Sequence, residues 1–224
     1  MFFKDEPVKA FLLLLWAKYK NQYGIKIFDF IIMDNHAHLL AKTESAEALG
    51  HFMRTVNSQL ARFINCYHDR DSQAIRERYK SPVITNTFYF RQVRSYIWLN
   101  RYRVNKSSDP SKDLFCSASW HLLDNPAKLI GFKEDQLCLF KNFLEPHPDA
   151  PEKSDRKGLR KFFRDLLTAA ISVLVELESE ILCHGHTIGD KDVVDYRGEV
   201  MSGLTREHVP WVSTSPPSKL SYGT

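Results

Sequence analysis

The sequence predicts an α+β protein with a mainly helical C-terminal extension. Three observations carry this. Ile25 to Met33 is rich in Ile and Phe and apolar on both faces, as a central strand is. Ala46 to about Tyr67 places Leu49, Phe52, Met53, Val56, Leu60, Phe63 and Ile64 at helical spacing, and Phe88 to Val104 repeats the pattern more sparsely. Arg156 to Leu182 reads as a long helix, basic at its front and apolar in its later half.

In chain order, Asp5-Glu6-Pro7 is a helix start: a capping side chain, an early acid and a proline in the first turn. Phe11 to Trp16 is its buried body and Gly24 its stop. The strand from Ile25 follows. Its even-numbered residues Phe28, Phe30, Ile32, Asp34, His36 and His38 share a face if no bulge intervenes, and Asp34-Asn35 is the expected place for one. Thr43-Glu44-Ser45 separates this segment from the Ala46 helix. His68 to Arg78 is a charged connection. Tyr79 to Ile84 is expected as a short edge strand, since Pro82 argues against a central one. Thr85 or Thr87 caps the helix that ends at Val104. Lys128 to Leu144 is expected to be helical, and the prolines of Glu145 to Pro151 mark a linker. The tail from Ser213 has a disordered composition.

Composition narrows the classes. With 224 residues and 43% apolar content, the chain can bury a real core. A formal charge of +4 permits a polyanion partner without demanding one. Cys66, Cys116, Cys138 and Cys183 form no Cys-x-x-Cys pair, so reduced thiols in a cytoplasm are expected rather than a zinc knuckle or disulfide frame. No signal peptide is evident, and Phe11 to Trp16 is too short to span a bilayer.

The chemistry centres on Asn35-His36-Ala37-His38-Leu39-Leu40. On a strand, His36 and His38 project together, an open half-site for a divalent metal. Tyr96 and Asn100 are four apart on a helix and can face one site. Set against the histidines, they complete a site of two imidazoles, an amide oxygen and a phenol. Three neutral ligands, His36, His38 and Asn100, leave positions on Mg²⁺ or Mn²⁺ for water and a phosphate oxygen. Tyr96 is then the nucleophile toward phosphorus. Each residue also has a plainer reading: His-x-His as surface or core decoration, Tyr96 as an amphipathic helix tyrosine, Asn100 as a helix-end residue. His184 and His186, a second His-x-His in a glycine-containing turn, are read as structural or surface.

These residues resemble the single-tyrosine HUH transposases of bacterial insertion sequences, and more closely their REP-associated relatives. The likeness rests on Ile31 to Leu40, on Met53 to Asn65, on Arg78-Tyr79-Lys80-Ser81 and on Tyr96-Ile97-Trp98-Leu99-Asn100. It covers roughly residues 1 to 122 and leaves the region after Pro146 unexplained. The resemblance implies a ferredoxin-like sandwich, with an antiparallel sheet and helices on one face. It implies cleavage of single-stranded DNA near hairpins, leaving a 5′-phosphotyrosine and a free 3′-OH. The expected organisation is the transposase domain at 1–122, a helical continuation at 123–145, a linker at 146–155, a helical extension at 156–212 and a tail at 213–224.

This sequence departs from the family pattern in two ways. Relatives begin with a strand before the first helix, whereas this chain starts almost at that helix, so a sheet edge is expected to be missing. Relatives also place proline after the asparagine, where this chain has Arg101-Tyr102-Arg103. The helix therefore runs longer, Tyr102 becomes a second exposed phenol, and Arg101 and Arg103 join Arg78 and Lys80 as candidate phosphate contacts. The expected partner is single-stranded or hairpin DNA, with no membrane. The tyrosine helix can serve its own subunit or a second copy, so a homodimer is a candidate assembly. The competing reading is a catalytically inactive, truncated remnant that binds DNA hairpins by shape and charge.

Overall fold

The computed structural model describes residues 3–75, 79–152 and 154–183, with 177–183 described by backbone alone. The elements are α1 (Glu6–Tyr19), β1 (Lys26–Ile32), β2 (Ala37–Lys42), α2 (Ala46–Tyr67), α3 (Thr87–Val104), α4 (Ser117–Leu122), α5 (Pro126–Ile130), α6 (Glu134–Leu137) and α7 (Arg156–Cys183), with a 3-10 turn at Cys138–Phe140. The class is α+β. The described residues of Met1–Tyr79 and Gln92–Ala170 form one compact unit, and Lys80–Arg91 with the described residues from Ile171 form a second.

α1 starts with Pro7 in its first turn, as its sequence requires. Asp5 stands at the cap position but makes no capping bond; its carboxylate pairs with His68 at 3.3 Å. Gly24 adopts φ +64, which glycine tolerates without strain, and lets the chain turn into β1. β1 and β2 pair antiparallel, from Lys26 opposite Lys42 to Ile32 opposite Ala37. The ladder irregularity lies between Ile27 and Asp29, not at Asp34-Asn35. Asp34 and Asn35 instead form the reversal between the strands, closed by the Met33 N–H donating to the His36 carbonyl at 2.8 Å. The continuous even-numbered face expected from Phe28 to His38 is therefore two strands folded back on each other.

Alternation along β1 divides its burial between two faces. Phe30 and Ile32 join the core built with Val8, Leu12, Leu13 and Trp16 of α1 and Phe52, Val56, Leu60 and Ile64 of α2. Phe30, fully buried, meets Trp16, Trp120 and Phe143 edge-on or tilted at 5.5–5.9 Å. Asp29 and Ile31 face the other way. Asp29 accepts hydrogen bonds from Trp98 Nε1 of α3 and Ser117 Oγ of α4, both at 2.8 Å. Asp29 thereby ties α3 and α4 to β1. Beyond the two strands, single bridges join Ile27 to Leu144 and Ile31 to Cys116.

α2 has the expected bounds, with Ser45 Oγ accepting from the Ala48 N–H at 3.0 Å. Residues 79–84 form no strand; Pro82 has no N–H to donate, and among the described residues no strand pairs with the segment. Asn86, rather than either threonine, caps α3 by accepting from the Tyr89 N–H at 2.8 Å. The single helix expected over Lys128 to Leu144 is broken, because Gly131 ends α5 at φ +96 and Asn142 turns left-handed at φ 55. α7 runs as the sequence indicates, one residue further. Within 146–155, His147 is buried and its Nε2 lies 2.6 Å from Nη1 of Arg94. Cys66, Cys116 and Cys138 are free thiols. Among the described residues no helix is long and apolar enough to cross a membrane. Arg78, His184, His186 and the tail from Ser213 lie outside the described residues.

Candidate active site

His38 stands on β2 opposite Ile31, on the sheet face that receives α3, and His36 immediately precedes the strand. The two rings meet edge to face, with centroids 4.7 Å apart. The Tyr96 ring packs against His38, 5.3 Å between centroids and nearly perpendicular. α3 runs alongside β1 in the same direction: Trp98 bonds Asp29, and Arg101 donates to the Ile32 carbonyl at 2.7 Å. It therefore runs counter to β2. A step from Tyr96 to Asn100 advances about 6 Å along the helix. A step from His38 back to His36 covers about 7 Å along the strand. The tyrosine is level with His38, and the asparagine moves toward the His36 end.

The electrostatics suit ligation. Burial holds the His36 imidazole below its ordinary pKa. Burial, and then the neighbouring His36, bring His38 down to about 4. Both rings are thus neutral near pH 7, with a nitrogen lone pair to offer. His36 Nδ1–H donates to Asn35 Oδ1 at 2.6 Å, which puts the lone pair of the neutral ring on Nε2. His38 Nε2 is buried with no hydrogen-bond partner among the described residues, a costly arrangement that a metal ion would relieve. Asn100 is 7% exposed. Among the described residues no three His, Cys, Asp or Glu side chains converge. The two imidazoles, neutral and side by side, fit a divalent ion.

The turn before the histidines is fixed from two sides. Lys9 of α1 bonds Asp34 at 2.7 Å, and Arg101 of α3 approaches the same carboxylate at 3.6 Å. The Lys9 hydrogen bond is the main cause of the lowered Asp34 pKa. Arg101 also pairs with Asp113 at 2.6 Å. Its guanidinium is thus engaged by a carboxylate and a backbone carbonyl of the fold. Arg103 lies over the Tyr96 ring, 5.5 Å from the centroid. Lys80 is exposed and belongs to the second unit. Sequence reasoning missed Asp29, Asp34, Asn35 and the inward role of Arg101. A lone acid in the apolar run Lys26–Ile32 was the visible signal for the first of these.

The chain was also compared with known proteins. Neither the curated proteins nor the solved structures gave a match. The family model described as "Transposase IS200 like" matches residues 1–113, a span that holds His36, His38, Tyr96 and Asn100. With half of its length matched, including the tyrosine helix and the histidine turn that pack together, this chain belongs to the IS200-like transposase family.

Proposed function

We propose that this protein nicks and rejoins single-stranded or hairpin DNA through a 5′-phosphotyrosine on Tyr96. The observation that carries the reading is the Tyr96 ring lying against His38, whose buried Nε2 lacks a partner among the described residues. His36, His38 and Asn100 would hold Mg²⁺ or Mn²⁺. When bound, such an ion polarises a phosphodiester and offsets charge in the transition state.

The remaining work belongs to the protein. The Tyr96 oxygen attacks phosphorus, giving up its proton to solvent. The bond from phosphorus to the tyrosine forms as the bond to O3′ breaks. The departing oxygen takes up a proton and leaves as a 3′-OH, while the 5′ phosphate stays on Tyr96. One ester has replaced another, so a 3′-OH can reverse the step and join strands without ATP. Because Tyr96 packs on His38 of its own chain, the reading uses the tyrosine within one subunit.

The test is incubation of the purified full chain with Mn²⁺ and labelled hairpin DNA from its genomic neighbourhood, resolved on a denaturing gel. A covalent protein–DNA band is expected, absent in Tyr96→Phe and in His36→Ala. DNA binding on a native gel without a covalent band would replace this reading with that of an inactive hairpin-binding remnant.

A further inference from the structure

The two arginines that follow Asn100 are alike in sequence and different in structure. Arg101 is bound to Asp113, Asp34 and the Ile32 carbonyl. Arg103 is half-buried, and no described residue gives it a hydrogen bond or an ion pair. Its contact is the face of Tyr96, seven residues earlier and therefore two turns back on the same side of α3. A guanidinium 5.5 Å from a ring centroid is within cation–π range. The ring is met by His38 as well, edge-on at 5.3 Å. The phenol is thus held by an imidazole and a guanidinium, and among the described residues no acceptor meets the five N–H groups of that guanidinium.

A half-buried arginine with unmet donors beside a nucleophile has the chemistry of an anion contact, and its planar fork matches phosphate oxygens. We propose that Arg103 aligns the Tyr96 ring in the free protein and, when DNA is bound, donates to a phosphate of the strand beside that ring. This rests on the reading of Tyr96 as nucleophile, but the phosphate contact does not require the chemistry to occur. It also separates the pair: Arg101 fastens the helix and Arg103 meets the substrate.

Arg103→Ala and Arg103→Lys are compared with wild type and Tyr96→Phe, all as full chains, in two measurements. The first is the affinity for an unstructured single-stranded oligonucleotide as salt is raised. Losing one phosphate contact reduces the slope of log K against log salt by about 0.7. Arg103→Ala should show that reduction, whereas Arg103→Lys and Tyr96→Phe should keep the wild-type slope. The second is single-turnover formation of the covalent adduct at saturating DNA. Arg103→Ala should be slowed about tenfold or more, and Arg103→Lys should recover only part of the rate, because an ammonium lacks the planar fork. An unchanged slope and rate in Arg103→Ala, with Tyr96→Phe inactive, would overturn the proposal for Arg103 and leave the tyrosine chemistry intact. An adduct persisting in Tyr96→Phe would instead overturn the assignment of the nucleophile.

Discussion

The indole N–H of Trp98 donates to Asp29 at 2.8 Å, tying the helix that carries Tyr96 to the strand that pairs with His38. Both residues are almost fully buried, and Ser117 Oγ reaches the same carboxylate oxygen. Trp98→Phe keeps most of the ring and removes the donor. It should cost about 1–3 kcal/mol, since a buried carboxylate then loses a partner. For a chain of this size that corresponds to a melting temperature lower by roughly 3–10 °C. A thermal melt indistinguishable from wild type would mean that the bond does not anchor α3.

Much of this arrangement was legible in the sequence, and the misses have physical causes. α2 has the bounds its spacing gives, because Ser45 caps it and its apolar stripe finds α1. Tyr96 and Asn100 were marked by their spacing of four. The turn at Asp34-Asn35 was not, because its apolar neighbours suit a continuing strand as well as a hairpin. Only the pairing of Ile32 with Ala37 decides between them. The division of labour between Arg101 and Arg103 was equally hidden. It depends on where Asp113 lies, twelve residues beyond Arg101 and brought back only by the fold.

Asn35 has a role that follows from its bond to His36. Accepting from Nδ1–H fixes the imidazole tautomer and directs Nε2 outward. In Asn35→Ala the ring is released. Mn²⁺ affinity, followed by calorimetry on the full chain, is expected to fall about 10–100-fold with little change in the melting temperature. Unaltered Mn²⁺ binding would show that His36 does not need this partner.

His147 makes folding sensitive to acid. Burial, and then the Arg94 charge, bring its pKa from 6.5 down to about 4. Between those values the unfolded chain binds a proton that the folded chain does not, so stability rises with pH across the window. The contribution is complete above about pH 6.5 and is lost as the pH falls to about 4. His38 is shifted the same way and adds to the slope. Thermal melts should be flat above pH 6.5 and decline below it, and His147→Gln should reduce that decline. An identical decline in the variant would remove His147 from the explanation.

The nucleophile can be identified chemically, because α3 carries three phenols: the buried Tyr89, Tyr96 against His38 and Tyr102 beneath Lys106. The covalent DNA–protein product is digested with nuclease and protease, and the peptide that retains a nucleotide is sequenced by mass spectrometry. The expected site of modification is Tyr96. A nucleotide on Tyr102 would contradict it, since the phenol packed against the histidine pair would then not be the one that reacts.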